Sequence, residues 1–376
     1  MNPDASIVAC TYADHIEFSK VTGEQQVFDR LGWRRGFLLS ALGAWAVSRP
    51  LLAAPEPLRS EPRVIHRVSI ALAAPHSLYH LPLTLADRLG YFKQAGIAVE
   101  WWPHESGAKA MASALQGQAN VVAGAFEHLF GLHQKGLNYQ AFVQMARTPQ
   151  LSLGVAARPE WRSVMSLKGA RVGVSSLQSS THWMVCHWLL QNGLLPEDVV
   201  FVEVGSSAGV VEALRSGAID ALCNPDPVMH GLVQRNEIRL IGEARTLMAT
   251  RKLLGGVGPG SCLWARTDYL QRQPELAQAL SDAVVHALKW LQTAGLTDIL
   301  KTVPASHWEG DRAIYLGAFE KLRESYALDG LFAADAVHNA WIAYNRLPDR
   351  QLGSRPVLAS TYTNSFASKS KTRFLA

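Results

Sequence analysis

The residues best suited to chemistry lie in one turn, Ser175-Ser176-Leu177-Gln178-Ser179-Ser180-Thr181-His182-Trp183, which follows a strand-like run and opens a helix-like one. The first helical N–H groups have no partner within the helix, and that end carries a partial positive charge. A hydroxyl-rich turn there suits sulfonate, nitrate, carboxylate or phosphate oxygens. Capping needs one hydroxyl, from Ser180 or Thr181, and the turn carries five. Ser176, Ser179, Ser180 and Thr181 are therefore expected ligand contacts.

Other polar groups fall at the ends of further presumed parallel strands, where open α/β sheets bind ligands. Ser77, Tyr79 and His80 follow the first strand, Ser106 and Gly107 the second, Phe126 the third, and Asn224 and Asp226 a strand ending at Cys223. These complete the expected contact set. Glu127 and Asp226 bear on ligand sign, because an acid in a cleft favours an amine-bearing solute over a simple anion. Trp101, Trp102 and Trp183 could line an organic portion.

Other chemistries have weaker footing. Gly205-Ser206-Ser207-Ala208-Gly209 fits G-x-S-x-G between a strand and a helix, which would make Ser207 a hydrolase nucleophile with His230 or His286 as base. His182 and Cys186 share a helix face, but no second ligand cluster accompanies them, and zinc needs three or four ligands. The run Gly255–Gly260 lacks the Lys-Ser/Thr of a P-loop and precedes a strand, so it reads as a connection near a hinge. Neither a metal nor a cofactor is expected. Cys186, Cys223 and Cys262 are too few for a disulfide scaffold and are expected as buried free thiols, a Cys186–Cys223 bridge being the alternative.

The elements that must position these groups alternate as strand and helix: Val68–Leu72, a helix built on Leu81, Leu85, Leu89 and Phe92, Ile97–Trp101, a helix to Leu115, then Val121–Ala125. The pattern restarts at Arg171–Ser175. Leu115-Gln116-Gly117-Gln118-Ala119-Asn120 and Leu214-Arg215-Ser216-Gly217-Ala218-Ile219-Asp220 echo each other. The reading is α/β with two lobes, each a mainly parallel sheet covered by helices, and a ligand cleft between them. Lobe one is expected over 64–157 plus 263–347 and lobe two over 158–262.

Ahead of the lobes, residues 1–54 read as a leader. Arg34-Arg35 stand directly before an apolar run that is too short to span a bilayer, the pattern of a twin-arginine export signal read by the Tat machinery. The formal charge of +5 arises at the end: residues 350–376 hold five Lys/Arg and no acid, while the body is neutral. A neutral body without a basic run argues against a nucleic-acid groove, and 348–376 is expected to be a basic, disordered tail.

Leu85-Ala86-Asp87-Arg88-Leu89-Gly90-Tyr91-Phe92 followed by Gly96-Ile97-Ala98-Val99-Glu100 resembles the opening of one family: solute-binding proteins of ABC importers for nitrate, aliphatic sulfonates, taurine and the thiamine pyrimidine precursor. The resemblance extends at lower density to about Trp290. It implies a type II-like periplasmic binding fold and capture of a small anionic or zwitterionic solute outside the membrane. The partner would be an ABC permease, and no catalysis is implied.

Overall fold

The computed structural model describes residues 66–206, 209–308, 310–350 and 354–376. The expected leader, with its Arg34-Arg35 pair, lies outside the described residues. The first lobe opens with β1 (His66–Ala73), α1 (Leu81–Arg88), α2 (Tyr91–Gln94), β2 (Ile97–His104), α3 (Gly107–Leu115), β3 (Val121–Ala125), α4 (His128–Gln134) and β4 (Tyr139–Gln144). The second holds β5 (Leu151–Ala156), β6 (Arg171–Val174), α5 (Ser180–Gln191), β7 (Val200–Glu203), α6 (Gly209–Arg215), β8 (Ala221–Pro225), α7 (Val228–Gln234), β9 (Ile238–Ala244) and α8 (Leu247–Leu254). The chain then returns through β10 (Ser261–Arg266) and continues as α9 (Thr267–Arg272), α10 (Pro274–Thr293), α11 (Leu296–Thr302), α12 (Arg312–Leu322), α13 (Ala334–Tyr344) and α14 (Ser365–Phe374).

The two sheets have matching orders, β2-β1-β3-β10-β4 and β7-β6-β8-β5-β9. In each, three parallel strands are followed by one antiparallel strand that enters from a crossover, β10 in the first and β5 in the second. β5 is buried along its whole length and pairs β8 and β9, so it belongs to lobe two. The expected border at 157 is thus too late, because the crossing precedes Leu151. An apolar strand buried on both faces reads the same in either sheet.

The sequence echo has a physical basis. Gly117 and Gly217 both end helices with positive φ, 76° and 74°, which glycine adopts without strain. Three residues on, Asn120 Oδ1 accepts from Ser69 N (3.2 Å) and Asp220 Oδ2 accepts from Arg171 N (2.9 Å). Each side chain ties the start of a third strand to the first strand of its own sheet. Pro103 is tolerated inside β2 because that strand is an edge.

Helix α10 buries a stripe of Leu276, Leu280, Val284, Ala287, Leu288 and Leu291 against α1 and α2. The later helices belong to lobe one as expected, Tyr315, Ala318, Phe319 and Leu322 of α12 and Val337, Trp341 and Tyr344 of α13 lying in its core, but both also reach lobe two. α12 packs on α7 of lobe two, where a side chain on Gly317 would meet His230 Nε2 at 2.8 Å, and α13 reaches α8. The tail is also not loose. α14 lies on α10: Ser370 Oγ donates to Asp282 Oδ1 (2.7 Å), Arg373 pairs with Asp282 (2.7 Å), and Lys371 with Asp329 (2.8 Å). Its basic residues thus find acids supplied by distant segments. Cys186, Cys223 and Cys262 are buried and in no disulfide among the described residues. Among the described residues no helix is long and apolar enough to cross a membrane.

Candidate functional site

The C-terminal ends of β1, β3, β6 and β8 come together between the lobes around an inner cavity of about 60 Å³. That is space for a handful of water-sized groups, each needing roughly 10–15 Å³. Beside it runs a wider groove of about 1110 Å³, sharing Ser77, Ser206 and Pro225 as walls. The lobes touch across this region. Ser206 Oγ donates to the Glu105 carbonyl (2.8 Å), and Leu78 N to the Asp226 carbonyl (2.9 Å).

In lobe two, most of the serine turn is spent on itself. Thr181 Oγ1 accepts from Ser175 N (2.9 Å), Ser175 and Ser179 hydroxyls bond at 2.9 Å, and Ser179 Oγ donates to the Ser176 carbonyl (2.7 Å). These bonds hold the sharp bend in which Gln178 takes a φ of 62°. Ser176 Oγ bonds the neighbouring Leu177 carbonyl, and Ser176 is not a cavity wall. Ser179, Ser180 and Thr181 do line the cavity, so the N-terminus of α5 faces it. The Ser180 hydroxyl is hydrogen-bonded to Glu127 from the opposite lobe.

Lobe one supplies a second helix N-terminus. Ser106 caps α3, its Oγ accepting from Lys109 N (3.2 Å), and is fully buried; its neighbour Gly107 forms the wall. A side chain at Gly107 would sit 3.3 Å from His128 Nε2. Ser77, Tyr79 and His80 are walls too. Burial lowers the His80 imidazole to about 4, partly offset by its bond to the Ala73 backbone. Burial also holds the Tyr79 hydroxyl well above its ordinary value, with the Glu127 charge adding to the effect.

Two expected contacts have other roles. Phe126 is 0% exposed and packs its ring against Phe130 and Phe332, both at 5.5 Å, so it belongs to the core. Asp226 borders the outer groove but is also 0% exposed. Its carboxylate pairs with the buried Arg245 guanidinium (3.1 Å) and accepts from His230 N (2.9 Å), so its charge is neutralised within the protein. Asn224 lines the outer groove, and neither amide atom has a hydrogen-bond partner among the described residues. The same holds for Ser77 Oγ.

Glu127 and His128 carry more of the site than their sequence context suggested. Burial raises the Glu127 carboxyl to about 7, against the lowering effect of its hydrogen bonds to its own backbone and to Ser180. His128 is 2% exposed, lines the cavity, and stacks at a tilt on Trp183 of lobe two, ring centroids 4.8 Å apart. Burial and then the Arg350 charge lower its imidazole to about 4. The only sequence signal for it was its place just past the third strand end. No Lys or Arg is among the described walls of the inner cavity.

Two lobes of one strand order, joined by two crossovers around a largely apolar cavity with a few polar walls, define a two-lobed solute-binding fold. The chain belongs to the NMT1/THI5 like family, whose model matches residues 77–294. A search of curated proteins found no match. A solved structure from Bordetella bronchiseptica RB50 is 37% identical, with TM-score 0.78, covering 82% of this chain and 98% of that one. The alkanesulfonate-binding protein SsuA from Xanthomonas axonopodis pv. citri, bound to MOPS, is 17% identical (TM-score 0.65; 80% and 99% covered). The periplasmic nitrate-binding protein NrtA from Synechocystis PCC 6803 is 13% identical (TM-score 0.63; 82% and 89% covered). The fold is also similar to that of the desulfurization enzyme DSZB, at 17% identity and TM-score 0.55, with 82% and 99% covered.

Proposed function

We propose that the protein captures a small organic monoanion or zwitterion, such as an aliphatic sulfonate or taurine, outside the cytoplasm and delivers it to an ABC permease. The observation that carries this is the pair of helix N-termini, α3 at Gly107 and α5 at Ser180, on opposite walls of one cavity. Export through the Tat machinery by way of Arg34-Arg35 is part of the proposal, as is a periplasmic location. The absence of Lys and Arg from the described cavity walls, with Glu127 behind Ser180, disfavours a dianion such as sulfate.

Micromolar capture requires about −8 kcal/mol. One helix N-terminus contributes about 0.3–2 kcal/mol, and each hydrogen bond to a charged group about 1.5–3. One N-terminus with one or two such bonds gives about 2–8 kcal/mol, so contacts from both lobes bring the total to that scale, and closure of the lobes over the solute follows from contacts made to each. Hydrolysis is the lesser reading. His286 is stacked between Tyr91 and Phe374 in lobe one (3.7 and 4.5 Å), and His230 is packed against Gly317 of α12. Ser207 lies outside the described residues.

A thermal-shift screen of ethanesulfonate, taurine, nitrate, bicarbonate, sulfate and an aminopyrimidine tests the reading. Ethanesulfonate or taurine should raise the melting temperature and sulfate should not. Stabilisation by the aminopyrimidine alone would replace the proposal with capture of a thiamine pyrimidine precursor.

A further inference from the structure

We propose that His128 is a ligand-binding residue, donating a hydrogen bond from Nε2 to the oxyanion of the captured solute. This rests on the proposed function and adds to it a residue that determines which solutes fit. The ring lines the inner cavity beside the N-terminus of α3, with Nε2 directed at the space a side chain on Gly107 would occupy. Neither Nδ1 nor Nε2 has a hydrogen-bond partner among the described residues, although the ring is 2% exposed. A neutral imidazole carries one donor and one acceptor, and leaving both unpaired in the interior is costly. If packing against Trp183 were the whole role, a phenylalanine would fill it without that cost.

The ring's position between lobes explains how the nitrogen meets a ligand. Its neighbours come from both sides: Gly107 of α3, and Trp183 of α5 in lobe two. With the lobes together both nitrogens are sealed, so a solute must enter with the lobes apart and be enclosed as they close. The surrounding charges leave the imidazole neutral. Arg350 is the cation that acts on it, and burial acts in the same direction. The donors facing the oxyanion would then be two helix N-termini and neutral side chains. Such a set suits a monoanion with two or more oxygens.

Isothermal titration of the full-length protein with ethanesulfonate, taurine, nitrate and an aminopyrimidine tests this, comparing His128→Leu with His128→Gln. The expected result is a loss of about tenfold or more in His128→Leu, the scale of one lost hydrogen bond to a charged group. His128→Gln, which keeps a donor, should stay within about threefold of wild type. The ligand-free melting temperature of His128→Leu should not fall, because the substitution removes two unpaired polar atoms. If that variant misfolds, His128→Phe replaces it in the comparison. Equal losses in the Leu and Gln variants overturn donation from Nε2. So does binding by His128→Leu within threefold of wild type, or a wild type that binds none of the four. If wild type binds only the aminopyrimidine and His128→Leu loses it, the ligand contact at His128 stands while the oxyanion reading falls.

Discussion

At the scale of single residues, Glu127 and Asp226 show how two carboxyls beside one cleft acquire different duties. Asp226 is matched by Arg245 and held by a backbone N–H, so it serves as a joint between β8, α7 and β9. Among the described residues Glu127 has no such cation, and burial holds its carboxyl near 7 against an ordinary 4.5. Between those two pH values the folded protein keeps a proton that the unfolded chain has lost. Stability from this group therefore declines as pH rises through the window and is gone above about 7. One pKa unit is about 1.4 kcal/mol, so the effect is on the order of 3–4 kcal/mol at most. Glu127→Gln should melt higher than wild type at pH 8 and no higher at pH 4.5, and sulfonate affinity should weaken from pH 6 to 8 in wild type only. Parallel pH profiles for the two proteins would mean that Glu127 stays ionised throughout.

At the scale of elements, α14 changes the account of the C-terminus. Read alone, Ser365–Phe374 is a short polar segment with three cations. On α10 it is a fitted helix: Phe366 and Phe374 join the apolar cluster there, and Gln278, Asp282 and Lys289 bond to it. Asp282 is nearly buried and takes its compensation from Arg373 and Ser370. Removing residues 365–376 would leave Asp282 with Gln278 and solvent, and would uncover the apolar surface that Phe366 and Phe374 partly bury, together a loss on the order of 1.5–3 kcal/mol. Urea denaturation should show a lower midpoint, with the extrapolated unfolding free energy reduced by an amount near that range. An unchanged midpoint would mean that α14 rests on α10 without stabilising it.

At the scale of the molecule, the lobes are joined where the two crossovers run side by side. Gly260 N donates to the Ala146 carbonyl (2.8 Å), and a side chain at Gly260 would overlap the Thr148 carbonyl oxygen. Only glycine lets the two connections lie this close, so the Gly255–Gly260 run is a tightly packed crossing at its end and not a slack linker. Gly260→Ala should cost about 1–3 kcal/mol, as overpacking does. It should also splay the lobes, increasing the radius of gyration measured by solution scattering at saturating solute. A variant with wild-type melting and scattering would show that the crossing has room to give.

The chain by itself determined what depends on neighbours along the sequence. Apolar stripes gave the helices, Gly90, Gly117 and Gly217 their ends, and the paired Asn120 and Asp220 motifs the repetition of one lobe in the other. These are legible because periodicity and turn chemistry act over a few residues. Strand ends also located the cleft, since parallel sheets present their C-terminal edges to ligands wherever they occur. Tertiary structure alone decided which of those end residues face the cavity. Asp226, at the edge of the outer groove, is paired with Arg245, and Phe126 is covered by Phe332 from far down the chain. His128 became a site residue because α3 and α5 close around it from different lobes. The tail became a helix because Asp282, 88 residues before Ser370, waits for it. A side chain's partner can lie anywhere in the chain, so the pattern of one segment does not hold that information until the fold brings the two together.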